Sequence, residues 1–272
     1  MLNMTRCDSC HPVRNGPRAI TIPTLLVRDA DMNKDRIFAS KDTDSWIFQF
    51  NDTVADVFPD MIKRSIPGYE ASILTIGSLA RRYVRPKTHC FDLGCSLGAA
   101  TLAMRHNISE PGCRIKAIDN SPAMIHRCCK IISSDEALIP VEIIAADIRE
   151  INIENASMVV MNYTLHFLPL VDRDDMIARI YDGMNPGGVF VLSEKVLNDD
   201  REIEKLLVNL HHEQKQRNAY SNSEINRKRE AIENVLIPES LTIHKTRLTK
   251  VGFSHVSVWL RHFNFISLVA IK

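Results

Sequence analysis

The stretch that most restricts how this chain can fold is His89–Leu102, HCFDLGCSLGAATL. Apolar Cys90 and Phe91 run into Asp92, a Gly-Cys-Ser-Leu-Gly turn follows, and strong helix formers continue from Ala99 to Met104. That order predicts a strand, a tight turn and a helix start. Gly94 and Gly98 allow backbone angles that a side chain resists, and they let a ligand approach the main chain closely. The amides that open the next helix are unpaired and carry positive partial charge, so they favour polar or anionic ligand groups. The spacing D-x-G-C-S-x-G differs from G-x-G-x-x-G, the fingerprint that holds a pyrophosphate.

After this turn the chain alternates. Strands are expected at Arg114–Ile118, Val141–Ile144, Ser157–Met161 and Val189–Leu192, with Ser121-Pro122 capping and opening one helix and Asp172–Met184 forming another, closed by a turn at Asn185-Pro186-Gly187-Gly188. Strands alternating with helices imply an α/β fold with a doubly wound parallel sheet. Ligands of such sheets lie beyond the carboxyl ends of the strands. There the first four strands deliver Asp92, Asp119, Asp147 and Asn162. Asp119, with Asn120 beside it, offers paired oxygens to two ribose hydroxyls. Asp147 can accept from an adenine amine while Ile148 packs on the ring. Asp and Asn also cap turns, so any one of these positions is ambiguous alone. Four of them in register with the glycine turn point to a nucleoside pocket.

The flanks are less regular. Residues 1–31 lack periodicity and carry Cys7-Asp-Ser-Cys10-His11, which matches the C-x-x-C-H haem-attachment string. No basic-then-apolar signal precedes it, so a disordered leader, or a start assigned too early with Met32 as the true one, is the expectation. Residues 32–70, with Trp46, Phe48, Phe50 and Phe58, read as a helical lid in which Pro59, Pro67 and Gly68 mark helix boundaries. Tyr69 either faces the pocket or simply packs. An amphipathic helix is expected over 71–85. Residues 196–236 break the alternation with two charged helices, Asp200–Gln216 and Ser223–Val235. Adjacent His211 and His212 point about 100° apart on a helix and make poor joint metal ligands, and no metal site is expected. By composition alone, Arg227-Lys228-Arg229 is a solvated helix face. The tail, Val256–Leu260 and Phe265–Ile271, reads as two closing strands.

Bulk properties limit the function classes. With 34 basic and 33 acidic residues, the chain offers no global charge for nucleic acid or a membrane surface. No apolar run reaches the roughly 18–20 residues that cross a bilayer. Seven cysteines, an odd number that includes adjacent Cys128 and Cys129, argue for a reduced cytoplasm over a disulfide framework. The 272 residues fit a leader followed by one α/β domain over 32–272.

The glycine turn resembles the first motif of class I S-adenosyl-L-methionine (SAM) methyltransferases. The strings VFPDMIKRSIPGY, CFDLGCSLGAATL, AIDNSPAMI, VEIIAADIRE, IENASMVVMNYTL, MNPGGVFVLSEK and the late FNF resemble the carboxy-S-adenosyl-L-methionine synthase family more narrowly, from about Met32 to Lys272. The resemblance implies a seven-stranded Rossmann-like sheet ending in an antiparallel hairpin. It implies a transferase that converts SAM and prephenate into carboxy-SAM and phenylpyruvate. A companion tRNA carboxymethyltransferase would use the product on wobble uridine. Carried over by position, Tyr69, Gly94, Cys95, Ser96, Asp119, Asn120, Asp147, Ile148 and Asn162 would line the SAM-type ligand. Arg229 would meet the extra carboxylate of carboxy-SAM, supplied across a homodimer. A guanidinium suits that role because it binds a carboxylate bidentately.

His166, Gln214, Ala219 and Leu260-Arg261-His262 depart from the family strings. His166 is either a titrating group near the pocket or a packed neutral imidazole. No side chain presents itself as a necessary base. Hydroxide leaving prephenate can take the methyl proton, and the released CO2 can be captured on that carbon. Two other readings share the fold: a conventional SAM methyltransferase acting on a small molecule or tRNA, and a non-catalytic SAM-binding subunit.

Overall fold

A computed structural model describes residues 33–39 and 47–272. The leader, its Cys7–His11 string, Met32 and Trp46 lie outside the described residues. Helices α1 (Asp52–Ser65) and α2 (Tyr69–Tyr83) come first. The alternation then runs β1 (His89–Leu93), α3 (Ala99–Asn107), β2 (Arg114–Asp119), α4 (Pro122–Ser133), β3 (Val141–Ala145) and β4 (Ala156–Asn162). It continues through α5 (Leu170–Gly183) and β5 (Met184–Lys195). Helices α6 (Arg201–Arg217), α7 (Asn222–Ile232) and α8 (Leu241–Val251) precede the closing strands β6 (His255–His262) and β7 (Phe265–Ile271).

The seven strands form one sheet in the order β3-β2-β1-β4-β5-β7-β6, the α/β class I methyltransferase arrangement. Strands β1 to β5 are mutually parallel, and β7 runs antiparallel between β5 and β6. The order reverses between β1 and β4, which opens a crevice beyond their carboxyl ends. Helices cover both faces, so β1 and β4 are buried along nearly their whole length. On one face, Ile76 and Ala80 of α2 and Ala103 and Met104 of α3 pack onto Cys90, Ile115, Met158 and Val191. On the other, Met176, Ile177 and Ile180 of α5 and Leu248 of α8 pack onto Phe91, Val159, Phe190 and Leu268.

Local chemistry sets most of the boundaries. Ser121 caps α4 by accepting from the Met124 amide at 3.1 Å, with Pro122 as its first residue. Ser221 and Glu224 close a capping box at the start of α7. Gly68, at φ +76°, turns the chain into α2, where a β-carbon would approach His262 Cδ2 to 2.6 Å.

Three expectations need correction. Pro59 lies inside α1 and does not bound it. Its ring removes one backbone hydrogen bond, but Val54, Ala55 and Met61 are buried against Phe38, Phe48 and Met124, and that packing holds the helix on both sides. The Asn185-Pro186-Gly187-Gly188 run is a bulge within β5, not a turn before it. Ala156 pairs with Met184, and Met158 pairs next with Val189. Helix α5 accordingly ends at Gly183, where it passes close to the Ile153 carbonyl. The two charged helices are present, but a third, α8, follows them over a stretch whose low amphipathicity gave no sign of it. No described helix is long and apolar enough to cross a membrane.

Candidate active site

A cavity of about 540 Å³ opens beyond the carboxyl edge of the sheet, a size suited to a ligand of small-molecule dimensions. All ten site residues expected from the sequence line it. Asp92 is buried next to the end of β1, and its Oδ2 accepts a 2.6 Å hydrogen bond from Thr101 Oγ1 on α3. The turn then folds under β2. The Gly94 and Cys95 amides both donate to the Ile118 carbonyl at 2.8 Å. Gly94 has φ +83°, and a β-carbon there would collide with the Thr164 side chain. Ser96 also takes a left-handed backbone, at φ +50°, and its amide donates to Asp119 Oδ2 at 2.9 Å.

Asp119 is therefore held by two amides, Ser96 on Oδ2 and Ser121 on Oδ1, both at 2.9 Å. Each oxygen keeps a second lone pair, so both expected acceptors for a diol remain. Burial raises the Asp119 pKa while these amide bonds oppose the rise. Asn120 follows it on the cavity wall. Asp147 is more committed than its sequence position suggested. Arg149 grips both its oxygens, at 2.6 Å from Nη2 to Oδ2 and 3.0 Å from Nε to Oδ1, and this holds the carboxyl below its ordinary range. Ile148 is buried beside it.

At the end of β4, Asn162 Oδ1 accepts from Ser72 Oγ at 3.4 Å. Tyr69 opens α2 opposite Tyr163, with ring centroids 6.4 Å apart. Burial, then the nearby Asp92 carboxylate, pushes the Tyr69 phenol upward, so it stays protonated and able to donate. Cys95 is buried, and its neighbour Cys128, then burial, raise its thiol well above the ordinary value. It therefore contributes backbone and bulk to the turn, not a thiolate. His166 lines the cavity with its Nδ1 2.8 Å from Glu194 Oε2, both side chains buried and poorly aligned for a hydrogen bond. Its ring also stands edge-on to Phe167 at 4.6 Å. It is thus both packed and at the pocket.

The 227–229 cluster is not a solvated face. Arg227 Nη1 donates to the Phe38 carbonyl at 2.9 Å, and Lys228 is buried, with Nζ 2.9 Å from Ser65 Oγ. Arg229 reaches the cavity rim, exposed, with no hydrogen bond or ion pair from its guanidinium to any described residue. The resemblance assigns this arginine to a neighbouring subunit, but here it lines the cavity of its own chain. Helix α7 is tied there by the Phe48 amide, which donates to the Ala231 carbonyl at 3.2 Å.

Sequence reasoning missed the cations Lys195, Lys215 and Lys228, which line the same cavity, and the edge-to-face rings of Phe50 and Phe167, 5.3 Å apart. Lys195 was within reach: β5 ends in a polar residue at the sheet's carboxyl edge, as the first four strands do.

Asp92 gives the site a pH signature. Burial pushes its carboxyl up to about 6, with Thr101 opposing the rise and Asp119 adding to it. A folded pKa above the unfolded one favours folding below about pH 4, and that contribution is lost as pH rises through 6. Asp92→Asn keeps an acceptor for Thr101 and removes the charge. Urea denaturation should find it about 3 kcal/mol more stable than the parent at pH 8 and nearly equal at pH 4. Equal stability at both pH values would contradict this.

Residues 91–188 match the family model described as a methyltransferase domain. Among solved structures, human N-acetylserotonin methyltransferase in complex with SAM superposes with a TM-score of 0.56 at 18% identity, covering 81% of this chain and 55% of that one. A putative SAM-dependent methyltransferase from Methanococcus maripaludis gives 0.52 at 20% identity, covering 83% and 94%. Both similarities concern the fold. The carboxy-S-adenosyl-L-methionine synthase of Klebsiella pneumoniae (strain 342) is 50% identical over 240 residues, covering 88% of this chain and 97% of its own. That of Trichlorobacter lovleyi is 52% identical over 239 residues, covering 88% and 98%. The chain belongs to the carboxy-S-adenosyl-L-methionine synthase family.

Proposed function

We propose that the protein converts SAM and prephenate into carboxy-SAM, phenylpyruvate and water. The observation that carries this reading is the presence of Arg229, a cation without an anionic partner among the described residues, on the same cavity as the nine residues expected around a SAM-type ligand. A methyl donor alone presents no anion at its reactive carbon. Carboxy-SAM does, and a guanidinium is suited to it.

In this reading the Gly94–Gly98 turn takes the amino-acid end of SAM, Asp119 takes the ribose hydroxyls and Ile148 packs on adenine. The chain's part in the reaction is placement and exclusion of water. Prephenate loses CO2 and hydroxide as its ring becomes aromatic. The hydroxide leaves as water with a proton from the sulfonium methyl, and the CO2 forms a carbon–carbon bond to that methyl. Atoms and charge balance without a redox partner, a metal or an enzymic base. The product would serve a tRNA carboxymethyltransferase acting on wobble uridine, in the cytoplasm. Exposed Ile203 and Leu206 on α6 support a homodimer, which would cover this helix.

Purified protein incubated with SAM and prephenate should yield, by mass spectrometry, a sulfonium product heavier than SAM by one CO2, together with phenylpyruvate. Methyl transfer to an added acceptor, with no such product, would assign the conventional methyltransferase reading instead.

A further inference from the structure

The cavity is charged unevenly. Three of its acids lie at the ends of β1, β2 and β3, and each already has polar partners: Thr101 for Asp92, the Ser96 and Ser121 amides for Asp119, and Arg149 for Asp147. Glu204 on α6, whose Oε2 accepts from the Asn198 amide at 2.7 Å, and Glu233 after α7 also line it. Its cations come from the end of β5 and from the inserted helices: Lys195, Lys215 on α6, and Lys228 and Arg229 on α7. Lys228 is accounted for by Ser65 Oγ at 2.9 Å and Asp35 Oδ2 at 3.5 Å. Lys195 and Lys215 are half-buried, and neither Nζ has a hydrogen bond or ion pair to any described residue. Glu204 is the acid within electrostatic range of Lys195.

These amines oppose one another. Burial, then Lys228, Lys195 and Arg229, push Lys215 down to about 7. Burial and Arg229 lower Lys195 against the pull of Glu204. His211 adds no charge. Burial, then Lys215, holds it down to about 3, and its Nε2 sits 2.8 Å from the Ser65 carbonyl. Half-buried cations without counter-ions cost stability unless an anion joins them. The sulfonium ligand does not account for both lysines. Its amino-acid end belongs over the glycine turn, and the added carboxylate belongs to Arg229.

We propose that Lys195 and Lys215 together receive the two carboxylates of a small dicarboxylate second substrate, with Arg229 reserved for the carboxylate on the sulfonium ligand. The assignment deepens the reading above and rests on it for the identity of that substrate as prephenate. It makes the two lysines substrate-binding and specificity-determining residues. A monocarboxylate of the same size satisfies one lysine and leaves the other unpaired.

The test uses the full chain and the variants Lys195→Gln, Lys215→Gln and Lys215→Arg. Each glutamine variant should raise KM for prephenate about tenfold, the scale of one lost charge-assisted hydrogen bond, and hold KM for SAM within about twofold. Lys215→Arg should restore most of the loss. In the parent, KM for prephenate should climb between pH 6 and pH 9 as Lys215 loses its proton, and this slope should vanish in Lys215→Gln. A second arm is calorimetric titration of the SAM-saturated protein with phenylsuccinate, a non-reacting dicarboxylate, and with phenylacetate. The parent should bind phenylsuccinate, and the glutamine variants should lose it about tenfold. Equal affinity for phenylacetate, or variants that shift SAM and prephenate alike or neither, would overturn the proposal. If prephenate is not turned over while the phenylsuccinate arm holds, the reaction assignment falls and the dicarboxylate site stands. Turnover with both variants unaffected means the reverse.

Discussion

Arg229→Ala is expected to weaken carboxy-SAM binding about 100-fold and to leave SAM binding within about twofold. The asymmetry follows from what the guanidinium touches. Its side chain has no hydrogen bond or ion pair with any described residue, so truncation orphans no described protein group. The backbone bond from the Glu233 amide to the Arg229 carbonyl survives any side chain. Unfolding stability should therefore be unchanged, and the loss should fall on a ligand with a carboxylate at the sulfonium carbon. Two parallel charge-assisted bonds support a loss of that order. Arg229→Lys keeps the charge but not the fork and should lose about tenfold. Calorimetric titration of both ligands into the parent and both variants is the measurement. Equal weakening of SAM and carboxy-SAM would show that Arg229 merely supports the cavity wall, and no weakening of either would remove it from the site.

The nucleoside half of the cavity was legible because its residues obey local rules. Asp92, Asp119, Asp147 and Asn162 each follow a short apolar run, and a parallel sheet places such positions along one edge. Ser121-Pro122 announced a helix start, and the structure has α4 there. Where tertiary packing overrules propensity, local rules failed. Pro59 is a helix breaker by itself, yet α1 continues past it because its buried face is fixed on both sides. The Asn185–Gly188 run has turn composition, yet strand pairing resumes beyond it.

The cationic half was hidden for a different reason. Lys195, Lys215 and Lys228 come from a strand end and two helices far apart in sequence, and each resembles ordinary surface charge until the helices are placed. Composition therefore read 227–229 as solvated, whereas the fold gives Arg227, Lys228 and Arg229 three different surroundings. The family strings compensated at Arg229 alone. The resulting polarity, partnered acids around the nucleoside and the amines of Lys195 and Lys215 beyond it, is a property of the assembled cavity. No single motif contains it.

Arg173 shows the same limit at the level of stability, and its replacement should have the largest effect on folding. In sequence it is one arginine in a charged helix, but in the fold it is completely buried. Its Nη2 donates to the carbonyls of His166, Leu168 and Ile237 at 3.1, 3.0 and 2.9 Å, and Nη1 pairs with Glu239 Oε2 at 2.7 Å. It thereby ties the segment after β4 to the segment before α8, and His166, Leu168 and Pro238 of those segments line the cavity. Arg173→Met has a side chain long enough to fill much of the space, but it leaves these carbonyls short of donors and Glu239 dependent on Arg247 alone. Removing one partner of a buried pair costs about 3–5 kcal/mol, and urea denaturation should show a loss of that order. Arg173→Lys keeps the charge for Glu239 but cannot reach three carbonyls with one ammonium, so it should recover less than half. KM for both substrates should rise together in the Met variant, because the whole cavity floor loosens. That separates it from Arg229→Ala, where only the carboxylated ligand is affected. A Met variant within about 1 kcal/mol of the parent would mean that the two segments hold their positions without the arginine.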